Sequence, residues 1–318
     1  MTIGIFILII FLSFFAGWRL IGIDRENYIS MYNGVINSET FALKIYFAKD
    51  FFYLLFTQLI NIFSDDPRYV FFTIIFLSFI LKFQLLQTIK LNNLFLSFLL
   101  YIIFLSSVLE FIAFRSALSL SFLLFAILNR NRSRVYLFLF LSILSHTSSI
   151  LPAFCISPIF SNLVNKSKLN YLLLLIFPIF FSSDILIFFP QGESYVLNQE
   201  GTSRAIILPL VTLLSAFLIF YKFNKHLINN HNDNSLNFIH NSKFVIFSLI
   251  YFSIGITPFV VTAATRYLEF VYLLLLIAGI TMYKKSYVNF LGFLLLLIIL
   301  FYLNIVKELW INIFYPIN

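Results

Sequence analysis

The sequence contains few charged residues. Asp, Glu, Lys and Arg make up 11% of the 318 residues, against 61% for the apolar types, and the mean hydropathy is +0.98. A soluble domain needs more polar side chains than this to cover its apolar core. The composition therefore excludes an ordinary soluble protein. Long apolar stretches recur along the whole chain, which predicts a polytopic helical membrane protein.

Cysteine and the common catalytic motifs are also scarce. The single cysteine, Cys155, excludes an internal disulfide. The sequence has no His-x-x-x-His pair, Gly-rich phosphate loop, Asp-x-Asp metal motif or Gly-x-Ser-x-Gly elbow, so we expect neither a metal ion nor a cofactor. The net charge of +8 is explained by basic cytoplasmic loops rather than by a nucleic-acid partner.

The apolar runs predict an all-α, polytopic integral membrane protein with about eleven transmembrane helices in a single domain, 1–318. The predicted spans lie near 1–17, 68–89, 94–109, 111–128, 135–148, 149–165, 169–189, 204–222, 244–263, 266–283 and 287–306. Residues 46–63 are short and dotted with polar side chains, so they predict an interfacial or re-entrant helix within an external loop, 18–67. We also expect an external loop at 190–203 and a cytoplasmic loop at 223–243.

Two of these breaks follow from helix length. A single helix over 94–128 would be about 52 Å long at 1.5 Å per residue, whereas the hydrocarbon core of a bilayer is about 30 Å thick. The chain is therefore predicted to turn between Glu110 and Arg115. The run 135–165 is also long for one crossing, and the polar sequence "SHTSSILP" predicts a bend at its middle.

The basic residues orient the predicted helices. One side of the membrane receives more than half of the 21 Lys and Arg, and the positive-inside rule assigns that side to the cytoplasm. These residues are Lys82, Lys90, Arg130, Arg132, Arg134, Lys166, Lys168, Lys222, Lys225, Lys243, Lys284 and Lys285. Arg19 and Arg25, close behind the first span, favour the opposite local orientation, in which 46–63 crosses the membrane and 18–45 is cytoplasmic.

On the first layout, a set of polar and charged residues collects at the external boundary: Asp24, Tyr28, Glu110, Arg115, His146, Arg204, Arg266, Tyr267 and Glu269. Glu110 and Arg115 would point roughly 140° apart on one helix, so each is expected to find its partner on another element. The three arginines suit a phosphate-rich ligand because guanidinium presents a planar fork of donors. Headgroup anchoring, loop caps and interhelical hydrogen bonds are the simpler interpretations of the same residues.

These residues lie in segments that resemble the EpsG family of the Wzy-type polysaccharide polymerases. "RLIGIDRENY" is similar to the family's Arg…Gly-x-Asp-x-x-x-Tyr loop, "AKDFFYLLF" to its acidic-aromatic helix and "FRSALSLSFLLFA" to its Arg-Gln-x-Leu-Ala helix. "SHTSSILP" is similar to its His-x-Ser motif, and "TRYLEF" to its Arg-Tyr turn. Ser116 stands where the family usually has Gln, and Asp50 where it usually has Glu.

The resemblance implies a metal-independent glycosyltransferase in the bacterial cytoplasmic membrane. Its donor would be a glycan on a polyprenyl diphosphate, and its acceptor a lipid-linked repeat unit at the outer face. Expected partners are these lipid-linked oligosaccharides, the bilayer, a chain-length regulator and other polysaccharide-assembly proteins. A lipid-linked oligosaccharide flippase, an O-antigen ligase and a membrane acyltransferase are the alternatives.

The resemblance also implies a role for each residue at the external boundary. Arg115, Arg266 and Arg204 would bind the diphosphate. His146 would be the catalytic base with Asp24 as the competing choice, and Glu110 would orient Arg115 or a sugar hydroxyl. The expected sugar contacts are Tyr28, Tyr267 and Glu269.

Overall fold

A computed structural model of the chain describes residues 2–18, 25–89, 94–107, 109–129, 131–158, 160, 202–221, 223, 234–257 and 261–306. These residues form helices joined by turns, without a strand among them, which confirms the predicted all-α class. They divide into two compact units. The first comprises Met1–Ala153 and Phe301–Asn318, and the second comprises Phe154–Leu300.

Four helices of the first unit, the first, fifth, seventh and eighth in chain order, pack side by side in that order. Its helices are α1 (Thr2–Trp18), α2 (Arg25–Asn37), α3 (Phe41–Ala48), α4 (Phe51–Asn61), α5 (Pro67–Ile89), α6 (Leu94–Tyr101), α7 (Phe114–Leu128) and α8 (Arg132–Ser145). Helix α1 packs against α5, α5 against α7, and α7 against α8. A Cβ atom at Gly17 would lie 3.0 Å from the backbone nitrogen of Phe72, so glycine permits the close approach of α1 to α5.

Both breaks that helix length predicts are present. Helix α6 continues as a π-helical turn, Ile102–Ser106, and α7 starts only at Phe114. Helix α8 ends at Ser145, and a 3₁₀ turn, Thr147–Ser149, leads into α9, Ile150–Ile156. Both breaks place a polar side chain at a helix end. Arg115 lies in the first turn of α7, and His146 directly follows α8.

The segment between α1 and α5 differs from its prediction. In place of a loop with one short helix, it contains α2, α3 and α4. The buried residues of α2 are Tyr28, Met31, Tyr32 and Val35. Their spacing of three and four residues is the period of an amphipathic helix, and a search for continuous apolar runs does not detect it.

The second unit contains α10 (Thr202–Ile219), α11 (Asn234–Ile256), α12 (Val261–Met282) and most of α13 (Tyr287–Val306). Helices α10, α11 and α12 pack against one another. The second part of the predicted cytoplasmic loop 223–243 is helical, and the prediction of a turn at "TAATRYLEF" is wrong, because these residues lie inside α12. Hydropathy locates the apolar part of a helix, whereas these helices begin in more polar sequence.

Four helices are long and apolar enough to cross a membrane, counting the described residues alone: Pro67–Ile89, Asn237–Ile256, Ala264–Met282 and Tyr287–Asn304. Large apolar side chains are exposed on α1 and α13, including Phe11 and Phe301, as expected for surfaces that face lipid. The chain is thus a multi-pass membrane protein. The total of eleven spans stays a prediction, since 169–189 and most of the predicted loop 190–203 lie outside the described residues.

Candidate functional site

The chain breaks between α3 and α4, and this break directs the side chain of Asp50 into the interior of the first unit. Lys49 ends α3 in the left-handed conformation, with φ 61°, and its N–H donates to the carbonyl of Ile45 over 2.9 Å. Asp50 is then extended and starts α4, and its side chain is 1% exposed. A left-handed residue other than glycine costs about 1–2 kcal/mol. Contacts around Asp50 must therefore stabilise this break.

Three donors from two distant parts of the chain meet at the Asp50 carboxylate. Arg115, in the first turn of α7, donates from Nη1 to Oδ2. His146, which directly follows α8, places Nδ1 3.1 Å from the same oxygen. The backbone N–H of Thr147 donates to Oδ1 over 3.1 Å. We call Asp50, Arg115 and His146 the Asp50 cluster.

Asp50 is ionised in this cluster and fixes the tautomer of His146. Burial raises the pKa of Asp50, but Arg115, His146 and the Thr147 N–H together outweigh burial and hold that pKa below its ordinary value. An ionised carboxylate can only accept hydrogen bonds. The Nδ1 of His146 is therefore the donor, and neutral His146 carries its lone pair on Nε2.

Two tyrosine rings support the guanidinium of Arg115. Its Cζ lies 5.2 Å from the ring centre of Tyr28 and 5.9 Å from that of Tyr53. The Tyr53 hydroxyl donates to the carbonyl of Tyr28 over 2.8 Å, which fixes the two rings relative to each other. The Arg115 side chain is 12% exposed, and its Nε has no hydrogen-bond partner. The rings and Asp50 thus hold Arg115 in place, while its Nε–H stays unpaired.

The Asp50 cluster combines a fixed cation with an oriented base. A cation in a poorly solvated site stabilises negative charge that develops in a reaction. A histidine held by a carboxylate accepts a proton from a hydroxyl. Within the described ranges, no three His, Cys, Asp or Glu side chains are grouped as a metal site. The arrangement suits transfer of a group from an anionic leaving group to a hydroxyl.

Comparison with protein families identifies the family of this chain. A family model described as the EpsG family matches residues 2–315, nearly the whole sequence. The chain belongs to the EpsG family. The EpsG family includes Wzy-type polysaccharide polymerases, so the predicted family is confirmed. A search of curated proteins and a search of solved structures found no match.

In this EpsG-family chain, the structure brings together three of the residues that the sequence singles out: Arg115 and His146 at one carboxylate, and Tyr28 against Arg115. The common partner of Arg115 and His146, Asp50, was not among the predicted site residues. The sequence signal for Asp50 was its place in "AKDFFYLLF", one of the segments that resemble the EpsG family. Tyr28, predicted to contact sugar, is 6% exposed and lies against Arg115, so here it supports the cation.

Glu110 lies in a different, fully buried cluster. Its Oε1 accepts from Lys82 Nζ over 2.7 Å and from the Ser78 hydroxyl over 3.0 Å, and its Oε2 accepts from the Tyr101 hydroxyl. The carboxylate paired with Arg115 is therefore Asp50, not Glu110. The layout that put Lys82 on the cytoplasmic side and Glu110 at the external boundary is wrong for one of the two, because Lys82 lies inside α5, is 2% exposed and contacts Glu110. A lysine near the end of an apolar run resembles a flanking charge unless its partner is known.

Arg266, Tyr267 and Glu269 belong to the second unit. Arg266 and Glu269, one turn apart on α12 in the second unit, form an ion pair with an N–O distance of 3.3 Å. Tyr267 packs edge-on against Phe252, with ring centres 5.4 Å apart. Asp24 and the side chain of Arg204 lie outside the described residues. The roles predicted for these residues stay predictions.

Proposed function

We propose that this chain is a polysaccharide polymerase of the bacterial cytoplasmic membrane. It transfers a glycan from a polyprenyl diphosphate onto a sugar hydroxyl of a second lipid-linked repeat unit at the outer face of the membrane. The proposal rests on one observation in this member of the EpsG family. Arg115 and His146 both contact the buried carboxylate of Asp50.

Arg115 acts on the leaving group. The bond between the anomeric carbon and a diphosphate oxygen breaks, and the diphosphate leaves with the bonding electrons. Negative charge then develops on that oxygen, and a fixed donor in a poorly solvated site stabilises it. The Arg115 side chain is 12% exposed while Asp50 and two tyrosine rings hold it, and this supports the role because the exposed part can still meet a diphosphate oxygen. Arg115 supplies this charge without a metal ion.

His146 acts on the acceptor. Its Nε2 takes the proton of the sugar hydroxyl as the oxygen forms the new glycosidic bond to the anomeric carbon. Asp50 holds the ring through Nδ1 and stabilises the imidazolium that forms. Asp24 is the competing base, and Glu110 has no proposed contact with the substrate.

Residues outside the Asp50 cluster complete the proposal. Arg266 and Arg204 are further proposed contacts for the diphosphate, and Tyr267 and Glu269 are proposed contacts for sugars. A chain-length regulator and other polysaccharide-assembly proteins are the proposed protein partners. These roles rest on the sequence and the family alone.

Replacement of one arginine tests the proposed function. Arg115→Ala should still insert into the membrane, with lower stability because Asp50 loses its cation, and should abolish long glycan chains on a gel. Arg132→Ala is the matched control, because Arg132 is an exposed arginine in the first turn of α8 and should leave the chain-length ladder unchanged. A normal ladder from Arg115→Ala would refute the proposal.

A lipid-linked oligosaccharide flippase is the second candidate. The Lys82–Glu110 pair favours it, because buried ionisable residues in membrane helices often mark transport pathways. Sealed vesicles that contain the purified chain and a labelled lipid-linked oligosaccharide separate the two functions. A flippase moves the label across the membrane without lengthening it, whereas a polymerase lengthens it.

A further inference from the structure

The Lys82–Glu110 pair is fully buried, and its polar atoms are paired. Lys82 Nζ donates to Glu110 Oε1 over 2.7 Å, to the Ser78 hydroxyl over 2.6 Å and to the carbonyl of Ala117 over 2.8 Å. An ammonium group has three protons, so these bonds use all of its donors. Glu110 also accepts from Tyr101 of α6. The pair therefore has a defined geometry rather than the freedom of a solvated charge.

These bonds join the two sides of the break that precedes α7. Glu110 lies in the non-helical segment before α7, and Ala117 lies in the first turns of α7. The N–H groups of Glu110 and Phe111 both donate to the carbonyl of Ser106 over 3.0 Å, which closes the preceding π-helical turn. Lys82, on α5, thus anchors the end of one helical segment and the start of the next.

Arg115 lies between the two anchored positions, two residues before Ala117 and five after Glu110. It is in the first turn of α7, and the residue before that helix, Ala113, provides no side-chain cap. The anchors from Lys82 therefore take part in fixing where α7 begins and where the Arg115 guanidinium lies.

We propose that Lys82 and Glu110 are positioning residues for the Asp50 cluster: their buried pair holds the start of α7 so that Arg115 binds the substrate diphosphate. This inference rests on the proposed function. Neither residue touches the substrate, and both act through the backbone on either side of Arg115. A buried ion pair is often no more stabilising than apolar side chains of similar volume, so positioning accounts for its presence better than stability does.

The test compares a double variant with a matched control. Lys82→Met combined with Glu110→Gln removes both charges at nearly constant volume, which avoids the unpaired buried charge that either single change would leave. Ser119→Ala is the control. Ser119 is a buried polar residue on α7, the helix that carries Arg115, and its hydroxyl lies 2.8 Å from that of Ser142 on α8. All proteins are purified in detergent and unfolded thermally.

The decisive readout is the inhibition constant, Ki, of free polyprenyl diphosphate in the polymerisation assay. Ki does not depend on the fraction of folded molecules, so a merely structural role would not change it. The double variant should keep a thermal midpoint close to that of the unmodified protein, while its Ki rises about tenfold, the effect of one charge-assisted hydrogen bond. Ser119→Ala should leave Ki unchanged.

Two results would overturn the inference: an unchanged Ki in the double variant, whatever its thermal midpoint, or an equal rise of Ki in Ser119→Ala. A different result would refute the proposed function itself. In that case the unmodified protein would neither lengthen the glycan nor bind polyprenyl diphosphate. The two failures are therefore distinguishable.

Discussion

Asp50→Asn is the substitution that most sharply separates the chemistry of the Asp50 cluster from its packing. Asparagine has nearly the same shape as aspartate, but it has no charge and only one acceptor oxygen. In the structure, Arg115 and His146 both bind Oδ2, and the Thr147 N–H binds Oδ1. The variant amide cannot accept from both sides. Its oxygen is expected to face Arg115 and His146, which leaves its NH₂ group against the Thr147 N–H.

The geometry gives the size of the effect. Removal of one partner from a buried ion pair costs about 3–5 kcal/mol. We expect about 3 kcal/mol, the low end of that range, because Arg115 is still 12% exposed and stays against the rings of Tyr28 and Tyr53. The rate should fall further, by about 10²–10⁴-fold, since the oriented base is lost together with the charge that stabilises its protonated form.

Thermal unfolding and the glycan ladder measure these two effects in one preparation. Asp66→Asn is the matched control, because Asp66 forms a similar ion pair with Arg68 at an N–O distance of 2.6 Å, but at side-chain exposures of 26% and 38%. An exposed pair contributes about 0–1 kcal/mol, so the control should unfold normally and polymerise normally. Equal effects in the two variants, or full activity in Asp50→Asn, would refute the reasoning.

Three further predictions concern the same region and the second unit. His146→Asn retains a donor towards Asp50 but removes the Nε2 base, so the protein should fold and polymerisation should fall about 10²–10⁴-fold; a normal ladder contradicts this role. Lys49→Gly relieves the left-handed backbone and should leave the free energy of unfolding equal or higher by about 1 kcal/mol, whereas a clear loss of stability on thermal unfolding would exclude strain at this position. Arg266→Ala should shorten the glycan ladder because it removes a proposed contact of the diphosphate, and a ladder of unchanged length contradicts that role.

The two helix breaks were predictable because the thickness of the bilayer limits the length of a membrane-spanning helix. A helix over 94–128 cannot fit a bilayer core of about 30 Å, and the chain does break after Ser106. The polar bend after Ser145 follows from the same constraint. The expectation that Glu110 and Arg115 find partners on other elements is also confirmed, because those partners are Lys82 and Asp50.

The identity of these partners was not predictable from spacing. Asp50 is 65 residues from Arg115 and 96 residues from His146, and no helical period relates positions so far apart. The contact of Lys82 with Glu110 was missed for a related reason. Its position near the end of an apolar run matches a cytoplasmic flanking charge, and only the packing of α5 against α7 shows that it is buried beside Glu110.

The central claim is that the Asp50 cluster transfers a glycan and releases polyprenyl diphosphate. The most direct measurement incubates the purified chain with a defined polyprenyl-diphosphate-linked repeat unit and counts both products. We expect one released polyprenyl diphosphate for each repeat unit added to the lengthened glycan, and neither product from Arg115→Ala. Lengthening without diphosphate release, or equal product from Arg115→Ala, would contradict it.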